Sequence, residues 1–565
     1  MKFKDYPYQR PDLKQAQEQG QQIISSLQTA TSFEAFKQAM DAFIQLQRDF
    51  QTQANLVYIR HSIDTSDSFY EEQQAFFDEN SPYFEELNHQ YYQALLASPF
   101  LEELSQEVPE TLIPLIEGQI KSFSPEIIEE LQQENKLISR YDKLIASAKM
   151  EFDGKVLNLS QMSPYLQSPK REQRKAASEA VWAFFKENQP EIDDCFDQLV
   201  KVRHEIALKL GYDNFIDVGY LRMSRLDYNQ KMVAQYREKI LSEIVPINQK
   251  LYAQQAQRLN LDHLAYYDVP IEFLDGNPKP LGSPEDIVQS GREMYHELSP
   301  ETGEFIDLML DNELMDLLAK PNKQGGGYMT FLLNYEVPFI FSNFNGTSGD
   351  IDVLTHEAGH AFQGYRSRWI KYPEVHMPTY ESCEIHSMSM EFITWPYMEK
   401  FFGDKANRYR YLHLGSALKF LPYGALVDHF QHEIYANPHY TPEQRNNLWQ
   451  QLDQQYRPHL DYSENEFAGS GVYWYRQAHI FASPFYYIDY TLAQVVALQF
   501  WKRLVLDNDT QAWQDYLHLC DLGGTKSFLG LVSEAHMESP FEETTISDIA
   551  QIIDAYLESI DTTKL

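Results

Sequence analysis

Apolar positions recur every three or four residues through most of the first 180 residues, as in FEAFKQAMDAFIQLQRDF from Phe33 to Phe50. That spacing gathers one face of an α-helix. The same period predicts a helix in FDQLVKVRHEIALKLG, from Phe196 to Gly211, and strand-like alternation is scarce up to residue 180. LQSPKREQRKAASEAVWAFFKENQ, with Ser168 and Pro169 ahead of a basic helix start, is the candidate boundary. It divides the chain into an N-terminal helical region, 1–180, and a second region, 181–565. From about residue 320 the texture changes. PNKQGGGYMTFLLNYEVPFIFSNFNGTSGD combines three glycines, short aromatic and β-branched runs and turn residues, which predicts a small sheet. A proline cannot donate to a central ladder, so Pro338 puts PFIFSNF on the sheet edge, where an extended peptide could add as a further strand; a plain buried strand is the equal alternative. After Gly349 the helical period returns, with Thr347 and Asp350 in capping-box spacing. The fold class is mainly α, with a small β-sheet next to one chemically loaded helix.

That helix carries HEAGH, residues 356–360. Residues i and i+4 share a helix face, so His356 and His360 can present two imidazoles to one metal ion, and Glu357, about 100° round, can reach a water beside it. His-Glu pairs also occur at His204, His296 and His432. None has a second histidine four residues on, and they read as ordinary helix-surface pairs. Gly359 costs about 1 kcal/mol relative to alanine inside a helix, which points to close approach of another backbone, of the substrate, or of a neighbouring helix.

Catalytic zinc takes three protein ligands and leaves a position open. TYESCEIHSMSMEFITWPYMEKFF supplies candidates: Glu381, Glu384 and Glu391 lie on broadly one face of a largely apolar helix. Carboxylates there are costly to bury without something positive against them. Glu384 is the expected ligand, Glu391 the acceptor for a ligand histidine's other N–H, and Glu381 the alternative ligand.

Composition narrows the partners. The 565 residues include 83 acidic and 47 basic ones, a formal net charge of -36, so the mean field repels nucleic acid and anionic membrane surfaces. Three cysteines with no CxxC pair exclude a thiolate cage and suggest a reducing compartment. The first residues lack the apolar core of a signal peptide, and no run of about 18 apolar residues occurs. The expected location is the cytoplasm. Gly325 to Gly327 and AGSG at 468–471 are not followed by GK[ST], so phosphate cradling is excluded; both read as flexible segments near the site, or as ordinary turns.

HEAGH followed by CEIHSMSMEF resembles the thimet oligopeptidase and oligoendopeptidase F group of zinc metallopeptidases, in which an E-x-x-S-x-x-x-E pattern follows HExxH; here it reads Glu384, Ser387, Glu391. RHEIALKLGYDNFIDVGYLRMSRLDY, GGGYMTF, PFIFSNFNGT and HIFASPFYYIDYTLA are similar to the oligoendopeptidase branch. The resemblance spans about residues 195–530. It implies a two-lobed helical body around a deep channel, one Zn2+ per chain, short unfolded peptides as substrates, and endopeptidase chemistry with Glu357 as the base. It also implies that His479 and tyrosines of HIFASPFYYIDY contact the reacting carbonyl. Tyr487 and Tyr490 match the family's pair by their three-residue separation. Gly326, Gly327, Tyr328, Phe341 and Tyr486 are the expected substrate contacts. Two rivals remain: a helical zinc carboxypeptidase, and a peptide-binding scaffold without catalysis.

Overall fold

Side-chain caps start the first helices of the computed structural model, which describes residues 1–565. Asp12 accepts from the amide of Gln15 and begins α1 (Leu13–Gln28); Ser32 accepts from that of Ala35 and begins α2 (Phe33–Ile63); Asp67 accepts from those of Phe69 and Tyr70 and begins α3 (Ser68–Leu96). Each cap satisfies N–H groups that a first helical turn leaves free. The apolar stripes then meet. Phe43 of α2 stacks on Tyr91 of α3 at 3.8 Å between ring centroids, and Phe50 on Phe84 at 4.0 Å. These rings belong to a core of 23 buried residues drawn mostly from the first 116 positions, whereas the main core holds 114.

Two features depart from the layout expected up to residue 180. After α4 (Ile128–Ala146), the strands β1 (Met150–Phe152) and β2 (Lys155–Leu157) form an antiparallel hairpin. Its turn is Asp153-Gly154, both at positive φ (52° and 72°), the geometry a two-residue hairpin loop requires. Secondly, α5 (Arg171–Lys209) begins just after Ser168 and Pro169 and runs 39 residues without a break at 180. The division between the two cores falls earlier, near residue 120.

The expected sheet is present, with its strands in another order. It contains β3 (Met315–Leu318), β4 (Tyr328–Leu332) and β5 (Val337–Phe344) in the order β3-β5-β4. PFIFSNF is therefore the central strand, not the edge. Pro338 is accommodated because it lies opposite Phe331 of antiparallel β4, before parallel pairing with β3 starts at Ile340, so its missing N–H removes no bond on that side. The free edge beside the site is β4.

From β5 the chain enters α6 (Gly349–Arg366), which carries HEAGH. The expected capping box does not form. Thr347 donates its hydroxyl to Asn345 Oδ1 at 2.8 Å, and the Asp350 carboxylate accepts from the amides of Asn345 and Gly346 at 2.9 and 2.8 Å, tying the loop back onto the helix start. α7 (Tyr380–Ile393) packs on α6, and α9 (Tyr487–Trp501) packs both on α7 and on α8 (Ala406–Ala436). No helix is long and apolar enough to cross a membrane.

α6 and α7 touch backbone to backbone at Gly359. A Cβ there would lie 2.6 Å from His386 O and 2.7 Å from Ser387 Cα, so the glycine answers to a neighbouring helix. Gly359→Ala should destabilise the fold by about 1–3 kcal/mol, because overpacking outweighs the gain in helix propensity. Thermal unfolding measures this, and an unchanged or raised midpoint would contradict the close contact.

Candidate active site

One turn of α6 places His356 and His360 side by side, with ring centroids 5.0 Å apart. Across the Gly359 contact, α7 brings up Glu384. Its Oε2 lies 3.2 Å from Nε2 of each histidine, and the three ligand atoms are all within 4.8 Å of one another. Two imidazole nitrogens and one carboxylate oxygen converging this closely suit a divalent metal such as zinc. Burial acts to raise the Glu384 carboxyl, but His360 and His356 outweigh it and hold the group well below the carboxylate range. Ser387 donates to its Oε2 at 2.9 Å, and Tyr486 donates to Oε1. Glu381 is not part of this group. It is fully buried, accepts from Thr379 at 3.0 Å, and its carboxyl is raised well above the usual range by burial and by Asp489 nearby.

Behind the histidines runs a chain of hydrogen bonds whose direction is set by its last member. Tryptophan can only donate, and Trp395 Nε1–H donates to His413 Nδ1 at 3.0 Å. His413 therefore donates through Nε2 to Glu391 Oε2 at 2.6 Å, while Glu391 Oε1 accepts from His356 Nδ1 at 2.7 Å. His356 thereby commits its Nδ1 proton to Glu391 and turns Nε2 toward Glu384 and His360. Glu391 sits where the sequence placed it. His413 and Trp395 were missed, because neither spacing nor composition marks a histidine 22 residues away on α8 as its partner.

Glu357 lies on the adjoining face of α6 and lines a channel of about 990 Å³. Burial raises its carboxyl, and its Oε2 has no hydrogen-bond partner. Gly327 at the start of β4 lies against it: a Cβ at Gly327 would be 3.2 Å from Glu357 Oε1. Gly326, Gly327, Tyr328 and Tyr486 also line the channel. Phe341 does not; it is fully buried beneath Tyr328, their rings stacked at 4.6 Å. The AGSG segment is likewise elsewhere, with Gly471 pressed against the backbone of Asn446.

His479 reaches the channel from a short helix before α9. Burial pushes its imidazole down to about 4, so it is neutral near pH 7. Tyr423 donates to Gln477 Oε1 at 2.8 Å, which turns the Gln477 amide nitrogen toward His479 Nδ1, also at 2.8 Å. His479 then carries its proton on Nε2, 3.1 Å from the Tyr490 hydroxyl. Burial holds the Tyr490 and Tyr486 phenols well above their ordinary value, so both stay protonated. Of the tyrosines in this segment, Tyr486, just before α9, and Tyr490, in its first turn, line the channel. Tyr487 points round the helix to Phe420 and Tyr423 and does not line the channel. Of the comparison pairs, His296 is a surface histidine near Asp307, whereas His432 is built into a buried network with Asp428, Arg237 and Tyr220, so it is not the surface pair expected.

An HExxH helix, a carboxylate from a second helix and a lined channel define a metallopeptidase. Residues 164–551 match Peptidase family M3 and residues 3–123 match the Peptidase M3 N-terminal domain, so the chain belongs to peptidase family M3. The Oligoendopeptidase F homolog of Borreliella burgdorferi is 24% identical over 458 residues, 76% of this chain and 74% of that one. A solved PZ peptidase A with an inhibitor is 49% identical, covering 99% of this chain and 100% of that one with a TM-score of 0.98. Oligoendopeptidase-F from Enterococcus faecium, at 15% identity, 97% and 96% coverage and a TM-score of 0.64, shares the fold. The chain is a metalloendopeptidase of the oligopeptidase kind.

Because the Trp395 donation sets the direction of the chain that ends on His356, His413→Phe should weaken metal affinity by about tenfold or more. Competition with a chelator reads it directly. Unchanged affinity would mean that Glu391 orients His356 unaided.

Proposed function

We propose that the chain is a zinc-dependent endopeptidase that hydrolyses internal bonds of short unfolded peptides, with His356, His360 and Glu384 as zinc ligands and Glu357 as general base. The convergence of the three ligand atoms within 4.8 Å beside the unpaired Glu357 oxygen carries this reading. A bound zinc ion supplies Lewis acidity, which polarises a carbonyl and makes water acidic enough to react near neutral pH. Glu357 takes the proton from the attacking water and delivers it to the leaving amine. As the scissile carbonyl oxygen gains negative charge, Nε2–H of His479 and the Tyr490 hydroxyl donate to it. Both are neutral, so they stabilise that charge without adding another. Tyr486 is assigned to Glu384, since its hydroxyl already donates to that carboxylate.

An extended peptide fits the free edge of β4, whose residues Tyr328 to Phe331 line the channel. Main-chain hydrogen bonds to that edge would hold the substrate whatever its side chains. Gly326, Gly327 and Tyr328 are the contacts proposed there. The three cysteines are all unpaired, which fits a reducing, cytoplasmic setting.

The decisive experiment pairs elemental analysis with cleavage of an internally quenched peptide blocked at both ends. Wild type and Glu357→Gln should each hold one zinc per chain, and only wild type should cut. A wild type that binds no zinc and cuts nothing after zinc is added would end the proposal.

Tyr490→Phe should lower kcat by about 10²- to 10³-fold, the usual cost of one donor to such an oxygen. Tyr487→Phe should change it by no more than about twofold, since its ring lies off the channel. The reverse ranking would reassign the donor.

A further inference from the structure

RHEIALKLGYDNFIDVGYLRMSRLDY, from Arg203 to Tyr228, supplies none of the groups that act in the reaction above, yet its last residues reach the wall that carries Tyr486 and Tyr490. Arg225 follows the short helix Phe215–Arg222 and its side chain is buried. Its guanidinium lies 4.1 Å from the centroid of the Tyr220 ring and 5.4 Å from that of Tyr228. Nη2 donates twice at the start of α9, to Phe485 O at 2.5 Å and to Asp489 Oδ1 at 3.0 Å. The Tyr228 hydroxyl donates to the same Oδ1 at 3.1 Å.

The two acceptors lie on either side of Tyr486. Phe485 precedes it, the Asp489 amide donates to the Tyr486 carbonyl at 2.9 Å, and Tyr490 follows Asp489. Phe485 has a φ of 69°, in the left-handed region that a non-glycine residue keeps only where its surroundings hold it. Arg225 on its carbonyl, Gln431 Oε1 on its amide at 3.1 Å and Gly219 against its ring supply that hold; a Cβ at Gly219 would lie 2.4 Å from the ring. Charge adds to it. Asp489 and Glu381, which α7 carries three residues before Glu384, are both fully buried. Burial pushes both carboxyls up, Asp489 raises Glu381 further, and Arg225 acts to bring both down. Arg225 therefore offsets one acid from each of the two helices whose spacing sets the bond from Tyr486 to Glu384.

We propose that Arg225 is a positioning residue for the oxyanion donors: by holding Phe485 O and the Asp489 carboxylate it fixes the first turn of α9, so that the Tyr490 hydroxyl stands beside His479 in the channel. This rests on the endopeptidase reading above and on the role given there to Tyr490. Arg225 itself touches no substrate. An arginine suits the task because one planar group can lie against Tyr220 while its edge donates to a carbonyl and a carboxylate together, which a lysine ammonium does not match.

The test is a double-mutant cycle on the zinc-loaded enzyme with the blocked, internally quenched peptide. Arg225→Gln, Arg225→Lys and Tyr228→Phe are each made alone and together with Tyr490→Phe. Arg225→Gln should lower kcat by about 10- to 100-fold with KM unchanged within about threefold, because a displaced donor is missed only where charge builds in the transition state. Arg225→Lys should fall between it and wild type. Tyr228→Phe, which removes one donor to Asp489 and leaves Arg225 in place, should cost about three- to tenfold in kcat. In the Tyr490→Phe background each further loss should shrink to no more than about twofold, since the hydroxyl that Arg225 sets is gone. Affinity for a phosphinic peptide, whose tetrahedral oxygen stands in for the charged oxygen of the transition state, should fall with kcat. Zinc content should stay at one per chain throughout.

Equal losses with and without the Tyr490 hydroxyl would overturn the inference, since a general weakening of the fold acts alike in both backgrounds. So would phosphinic-peptide affinity that stays at the wild-type value while kcat falls. If Arg225→Gln does not fold, Arg225→Lys and Tyr228→Phe carry the cycle, and full activity in both overturns the inference as well. Cleavage of the blocked peptide by wild type keeps the endopeptidase reading intact in each of these cases, whereas a wild type that does not cut it removes both.

Discussion

The site depends on two helix backbones coming within van der Waals contact at one residue. Gly359 has no side chain to hold α6 off the backbone of α7 at His386 and Ser387. A larger residue would widen the gap that Glu384 must cross to meet His356 and His360. Helix axes commonly pack 8–10 Å apart according to the side chains between them, and the glycine lets these two approach as closely as backbones allow. The loss in helix propensity, about 1 kcal/mol, is thus tied to the ligand geometry. It also explains how one short segment of α7 can reach both histidines while its next turn delivers Glu391 behind them.

Protons are held in place by residues that cannot reverse their roles. Trp395 only donates, so His413, Glu391 and His356 are oriented in sequence, and Nε2 of His356 emerges where the ligand atoms meet. Glu384, kept ionised, only accepts, so Tyr486 must donate to it. On the other wall, the Tyr423 and Gln477 pair leaves His479 with its proton facing the channel. Burial makes each arrangement consequential, because an unsatisfied polar group in these surroundings costs about 1–3 kcal/mol. Low dielectric also strengthens each bond, so the relays stiffen the site as well as orienting it.

How much of this could be read in advance follows from the range of each interaction. HEAGH was legible because its geometry is local: four residues on a helix put two imidazoles on one face. Glu384, Ser387 and Glu391 followed from helix period and family likeness, and all three meet the histidines or their partners. His413 and Trp395 were not legible, since the packing of α7 on α8 leaves no periodic trace in the sequence. The choice between Tyr486 and Tyr487 turned on helix phase, and a three-residue separation alone could not fix which face of α9 meets the channel. Pro338 misled for a different reason: a proline forbids one hydrogen bond, not a central position, and β5 uses that position before its second neighbour begins. The Asp153-Gly154 hairpin carried its signal in plain sight, a turn dipeptide between two short alternating runs.

Substrate size follows from which parts of the chain wall the channel. Asn55 and Tyr58 come from α2, which packs on β4, and Tyr141 and Asp142 from α4; they line the same space as α6 and α7. Both cores contribute to the wall of one cavity of about 990 Å³, Leu115 from the smaller and Tyr141 from the larger. A folded domain of 100 residues has a radius of gyration of about 13 Å and cannot enter. An extended chain can, at a cost of roughly 1–2 kcal/mol of backbone entropy per ordered residue. The β4 edge offsets that cost with main-chain bonds that do not depend on sequence. Since those bonds are shared by every peptide, discrimination must come from the few side chains that differ in charge or shape along the channel.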